Sequence, residues 1–184
     1  MTTETFLSPD SLDTLRALIG KQLLAYGTDL ELDDGIAAFG AWVHTAPGWV
    51  SLEFVEEVVD FDAGFSSVES LLTVHPLTDV DPGGDAHSLT GRIEAIHRIQ
   101  DRVTMINKRD DTVAWDWWRD SGVRITLDTG AELVLHCGST IEIEVVMRTG
   151  PAGTVEPAPL ATRSYQEGEK RRYTYERREV VLDA

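Results

Sequence analysis

Nine carboxylates crowd into residues 29–62: Asp29, Glu31, Asp33 and Asp34, then Glu53, Glu56, Glu57, Asp60 and Asp62. Two carboxylates facing each other across a cleft, in unequal environments, can do acid–base work such as glycoside hydrolysis. Backbone conformation decides which of them meet. If residues 52–60 are helical, Glu53, Glu56, Glu57 and Asp60 form one acidic ridge. If they are extended, Glu53 and Glu57, with Asp60 as a further candidate, diverge from Glu56 by face. A solvated face is the plainest use of such a run, a partner-binding surface the next, and a catalytic or metal site the least.

Other residue types offer less. Asp79-Val80-Asp81-Pro82-Gly83-Gly84-Asp85 resembles a calcium loop, but its fifth position is Gly83 and its twelfth is Thr90, where an EF-hand needs oxygen ligands. The turn-rich loop is the default reading there. His44, His75, His87, His97 and His136 have no zinc spacing among them. His136 and Cys137 are adjacent on an expected strand, so they point to opposite faces, and Cys137 reads as a small buried hydrophobe. No phosphate loop, dinucleotide fingerprint or nucleophile elbow occurs. The expectation is no cofactor, no metal and no catalytic residue.

In Trp115-Asp116-Trp117-Trp118, Trp115 and Trp117 share a face and read as core. Trp118 shares the other face with Asp116. It is expected as an exposed aromatic on a rim, suited to a protein hot spot or a sugar-stacking platform.

Charge is distributed unevenly. The chain has 184 residues and a net charge of −16. Residues 1–90 hold 2 basic and 16 acidic side chains, residues 91–184 hold 14 and 16, and no Lys or Arg occurs from residue 22 to residue 91. Such a field repels anions and attracts cations or basic protein surfaces, and it argues against a nucleic-acid backbone as partner. The basic cluster Lys170, Arg171, Arg172, Arg177 and Arg178 is expected to pair with the acidic half or to be solvated. With one cysteine, no run of 18 apolar residues and no basic-then-apolar leader, the reading expects a cytoplasmic protein without a membrane span.

The elements that must position these groups are mostly strands. Ser8-Pro9-Asp10 caps a helix over 9–19 with Leu12, Leu15, Leu18 and Ile19 on one face, and Gly20 stops it. Strands are expected over 21–32, 36–44 and 49–55, with residues 56–65 ambiguous. Ser66-Ser67-Val68-Glu69 reads as a capping box opening a short helix at about 67–74. Residues 76–90 read as loop, and residues 92–108 as two runs around Asp101. Runs 112–118, 123–127, 131–137 and 140–147 alternate between glycine-bearing links and predict a four-stranded meander. Its inward face carries Val123, Ile125, Leu127, Leu133, Leu135, Cys137, Ile141, Ile143, Val145 and Met147. After a long connection over 149–170, a last strand covers 171–182 with Tyr173 and Tyr175 on one side.

The predicted class is mainly β or α+β: an antiparallel sheet, sandwich or partly open barrel, with an N-terminal helix and one short mid-chain helix. One domain over 1–184 is expected, and a short echo between 18–26 and 89–97 raises an internal duplication of 18–75 and 89–148 as an alternative.

In size, acidity and strand-rich character, taken over the whole chain, the sequence resembles bacterial immunity proteins that neutralise secreted toxins. That resemblance implies a non-enzymatic inhibitor that docks on and occludes a basic partner protein such as a toxin. Glu53, Glu56, Glu57, Asp60, Asp62 and Trp118 would be its contact residues. A ligand- or carbohydrate-binding β-sandwich using the tryptophans and carboxylates is the alternative, and an enzyme with carboxylate acid/base residues the third.

Overall fold

The computed structural model describes residues 2–28, 31–33, 36–37, 40–46, 48–61, 64–78, 85–137, 145–158 and 168–183. The chain begins with Thr2–Thr5 (β1), then Pro9–Leu18 (α1), Gln22–Thr28 (β2), Glu31–Asp33 (β3), Ile36–Ala37 (β4) and Gly40–Thr45 (β5). There follow Gly48–Phe61 (β6), Phe65–Leu77 (β7), Asp85–Asn107 (β8), Val113–Leu127 (β9), Ala131–Cys137 (β10), Val145–Pro151 (β11) and Arg171–Val181 (β12). No described helix is long and apolar enough to cross a membrane.

The fold is mainly β. One sheet runs β3-β4-β11-β10-β9-β8-β2-β5-β6-β7 without closing, with β1 beside β9 and β12 beside β8. Among the described residues every pairing is antiparallel except that of β1 with β9. The spine is the 23-residue β8. Its first part pairs with β2, and its second part lies between β9 and β12.

The helix forms as expected. The Ser11 amide donates to Ser8 Oγ at 3.2 Å, Pro9 fills the first turn, and Arg16 bonds Asp13 at 2.7 Å. Gly20 follows at φ 80°, a backbone that L side chains resist, and its amide donates to Ile93 O on β8. Leu15 and Leu18 of α1 join Leu52, Phe54, Ile93, Ile96, Ile125, Leu133 and Leu135 in the main core.

Several expectations change. The capping-box segment is no helix: Phe65–Leu77 is a strand in register with β6 from Phe61↔Phe65 to Trp49↔Leu77. A long partner strand outweighs a four-residue local motif. Among the described residues there is therefore one helix, not two. Runs 112–118 and 123–127 are one 15-residue strand, β9. Asp120-Ser121-Gly122 is a bulge in it, where Gln100↔Asp120 and Ile99↔Gly122 leave Ser121 as the extra residue. Gly122 permits close approach to β10: an added Cβ would run into Leu135 O and lie 2.9 Å from His136 Cα. Residues 92–107 are likewise part of one strand, which begins inside the expected loop.

The meander is thus three strands, β9-β10-β11. Val123, Ile125, Leu127, Leu133, Leu135, Cys137 and Met147 are buried together as expected. Ile141, Ile143 and the Val145 side chain lie outside the described residues.

Candidate functional site

The β6–β7 hairpin changes its buried face halfway along. Side chains alternate along a strand, so Leu52, Phe54, Glu56, Val58 and Asp60 share one face, and Val55, Glu57, Val59 and Phe61 the other. At the base, Leu52 and Phe54 lie in the main core with Leu72 and Val74 across from them. At the tip, Val59 and Phe61 are buried instead, against Trp115, Trp117, Val103 and Met105. The Phe61 ring lies 4.7 Å from Trp115 and 5.6 Å, edge-on, from Trp117. The ribbon therefore passes from one layer of the molecule to another. Arg119 Nη1 fastens the crossing by donating to Ser70 O at 2.9 Å, and Thr3 Oγ1 donates to Asp60 O nearer the tip.

This crossover turns Glu56, Val58 and Asp60 out to solvent. Val58 is 68% exposed, and its cross-strand neighbour Val68 is 52% exposed. Glu57 is exposed from the other face, and no described ion pair engages Glu56, Glu57 or Asp60. The result is a small apolar pair flanked by unpaired carboxylates.

The expected contact residues do not all meet there. Glu53 is half-buried on the opposite face from Glu56, accepts from Ser51 Oγ at 2.6 Å and has His75 at 3.7 Å. Asp62 lies outside the described residues. Trp118 is a correction: it is only 8% exposed, with the Arg178 guanidinium 4.1 Å and that of Arg102 5.7 Å from its ring centre. It shares its face of β9 with Asp116 and Asp120, whereas the hairpin tip covers the Trp115–Trp117 face. It is a cation-stacked interior aromatic, away from the acidic tip.

The basic cluster is placed partly as expected: Lys170 and Arg171 are exposed, but the ion pairs that form are with carboxylates of the second half. Arg98 pairs with Asp120, Arg102 with Asp116 and Glu176, Arg124 with Glu132 and Glu179, Arg172 with Asp111, and Arg177 with Asp101. Of the C-terminal cluster, Arg172 and Arg177 thus take carboxylates of their own half, and Arg178 donates to Gln100 Oε1 at 2.7 Å. Two of these pairs follow directly from the β8–β12 register, in which Arg177 stands opposite Asp101 and Glu176 opposite Arg102.

One buried cluster was hidden from sequence reading. His136 Nε2 lies 3.1 Å from Asp101 Oδ2 and 2.9 Å from Arg177 Nη2. Arg177 holds both Asp101 oxygens, at 2.7 and 3.0 Å. A proton on Nε2 donates to Asp101 and leaves Nδ1 as an unfilled acceptor. With the proton on Nδ1 instead, Nε2 accepts from Arg177 Nη2 and the buried Nδ1–H has no described partner. Burial pushes the Asp101 carboxyl up, but the bonds and charges of His136 and Arg177 outweigh it and hold the group far below the usual carboxylate range. Burial pushes His136 down, Arg177 and Arg119 add to that, and Asp101 opposes them.

A strap over 152–158 covers this region. Glu132 Oε1 accepts the amides of Thr154 and Val155, Arg124 donates to Val155 O, and Arg177 donates to Ala158 O. Asp101 and His136 are buried and Arg177 is partly exposed, and the cluster works as a fastener. Cys137, its neighbour in sequence, is buried on the opposite face in the main core. Residues 79–84 of the calcium-like loop lie outside the described residues, and no group of three metal-ligating side chains converges among those described.

No family model, no curated protein and no solved structure matches the chain.

Proposed function

We propose that this is a non-enzymatic acidic binding protein that docks through the β6–β7 tip on a basic partner protein and occludes it, in the manner of an immunity-type inhibitor acting on a toxin. The observation that carries the reading is how the charge is spent. Arg98, Arg102, Arg124, Arg172 and Arg177 of the second half pair with carboxylates of that half, while Glu56, Glu57 and Asp60 stand exposed, with no described ion pair, beside Val58 and Val68. Opposite charge steers encounter and can raise association rates by about 10–1,000-fold, and an apolar centre then slows dissociation. Inhibition here needs no bond made or broken by this chain. The single buried thiol of Cys137 suits a reducing cytoplasm as the place of action.

The test uses the protein as bait in an extract of its native host. A basic protein should be retained by the wild type and lost by E56K/E57K, and the purified pair should associate more slowly as salt rises. If the double reversal associates at an unchanged rate in low salt, the carboxylates are only a solvated face and the proposal fails.

A further inference from the structure

The β6–β7 hairpin has two edges, and the chain treats them differently. On β7, the Val74 N–H donates to Ser11 Oγ at 3.1 Å, and the Val74 C=O accepts the Ser11 hydroxyl at 3.0 Å. Both groups therefore point away from β6. Ser70, of the same parity, has its C=O capped by Arg119 Nη1, and Pro76 has no N–H to offer. Capped groups and a proline blunt an edge against added strands.

The β6 edge is different. Residues opposite each other in an antiparallel pair turn their backbone groups together, either toward each other or apart, in alternation. Because Val74 turns away from β6, Leu52 across from it turns away from β7, toward β5. Glu53 has the other parity, and its C=O is reached from β7 by Thr73 Oγ1. Glu56, Val58 and Asp60 share the parity of Leu52, so they direct N–H and C=O to its outer side. Asp60 O is met there by Thr3 Oγ1. β5 accompanies β6 only from Gly48 to Glu53, and among the described residues no strand lies beside Glu56 or Val58 on that side.

The side chains along this open edge select what can fill it. On the β7 side Glu56 faces Ser70, Val58 faces Val68 and Asp60 faces Ser66, so β7 brings neither carboxylate a cation. A second copy of this chain is disfavoured. Antiparallel pairing about Val58 would set each Glu56 opposite the other copy's Asp60, like charge on like charge. A strand carrying a cation, an apolar residue and a cation at alternate positions would pair both carboxylates and extend the Val58–Val68 row. We infer that the partner is bound by strand addition, an extended basic–x–apolar–x–basic segment of it docking antiparallel on the outer edge of β6 with its apolar residue opposite Val58. The inference rests on the docking reading of the tip and adds the partner's conformation and residue pattern. Main-chain hydrogen bonds supply affinity, and alternate side chains supply the choice of sequence.

The experiment is an NMR titration of the whole chain with the peptide acetyl-Thr-Arg-Thr-Val-Thr-Arg-Thr-amide and two relatives. One is the same peptide N-methylated at its valine. The other, acetyl-Thr-Thr-Arg-Val-Arg-Thr-Thr-amide, has the same composition but sends both arginines to the face opposite the valine. The first peptide should bind saturably at millimolar concentration and shift the amide signals of residues 56–60. Its valine exchanges both hydrogen bonds with Val58, so N-methylation should weaken binding by about tenfold. The rearranged peptide should bind roughly fivefold more weakly than the first, and E56K/E57K should lose the first peptide. If either relative binds the wild type as tightly as the first peptide while E56K/E57K still abolishes binding, the tip docks by charge alone: strand addition falls and the docking reading stands. No saturable binding of the first peptide also overturns strand addition, and leaves the docking reading to the retention of a basic protein from the host extract. Binding of the first peptide that E56K/E57K leaves unchanged overturns both.

Discussion

Arg177 and His136 lie 41 residues apart in the chain, yet their side chains meet at 2.9 Å on the Asp101 carboxylate, and Arg177 also bonds the 152–158 strap at Ala158 O. All three sit on the face opposite the main core, and the pH dependence of the fold follows from them. His136 is held neutral, below its unfolded value of about 6.5. As pH falls through that value the unfolded chain takes up a proton that the folded chain resists, so stability falls. Asp101 is held ionised far below its unfolded value of about 3.9, so its contribution is complete above that pH and is lost on further acidification. Chemical denaturation should therefore show stability declining from about pH 6.5 downward, by up to ~1.4 kcal/mol per pH unit for one proton, and steepening below about pH 4. His136→Gln should flatten the upper part of that decline and leave the lower part. An unchanged slope between pH 6.5 and 5 would mean that His136 is not the group responsible.

Asp101→Ala leaves Arg177 and His136 without their carboxylate. Losing one partner of a buried pair costs about 3–5 kcal/mol, because the remaining charge stays buried. The same variant should loosen the strap, since Arg177 also holds Ala158 O. Amide exchange of Thr154 and Val155, measured alongside stability, checks this. Protection unchanged from wild type would show that Glu132 and Arg124 hold this part of the strap without Arg177.

Leu135 and Gly122 test the β9–β10 register from two sides. Leu135 lies in the main core, in register with Val123. Leu135→Ala should cost about 2–5 kcal/mol. Gly122→Ala should cost about 1–3 kcal/mol by overpacking against Leu135 O and His136, although alanine usually suits strands no worse than glycine. Denaturation midpoints read both. A loss under about 0.5 kcal/mol at Leu135, the range of surface substitutions, would put the register in error.

Local signals carried much of this fold. Ser8-Pro9-Asp10 announced the helix, and Gly130, at φ 76°, announced the turn between β9 and β10. The Ser66–Glu69 pattern misled because a capping box is four residues of chemistry, while the register with β6 extends over the whole of β7. The change of buried face in β6 was written in the sequence: Leu52 and Phe54 fall on one parity, Val59 and Phe61 on the other. That shift reads as ambiguity until Trp115 and Trp117 are seen to cover the tip. Asp101, His136 and Arg177 left no local trace, since 35 and 76 residues separate Asp101 from its partners. The pairing of arginines within the second half was equally invisible, because register rather than composition places Arg177 opposite Asp101.

Val58 and Val59 are neighbours in sequence with opposite roles. Val58 is 68% exposed between Glu56 and Asp60, and Val59 is 3% exposed in the cluster beneath Trp115 and Trp117. Substituting serine at each separates binding from folding. Val59→Ser should destabilise the protein by about 1.5–3 kcal/mol, the worth of a buried valine, with a further loss if the hydroxyl finds no partner. Val58→Ser should leave stability within about ±0.5 kcal/mol. On a basic partner, Val58→Ser should raise the dissociation rate and leave the salt dependence of association intact, because apolar contacts act after encounter. Charge reversal at Glu56 and Glu57 should do the converse. Surface plasmon resonance at two salt concentrations, with denaturation of the same samples, reads all four outcomes. If Val58→Ser unfolds the chain while Val59→Ser does not, the ribbon is turned over and the exposed patch is a different one.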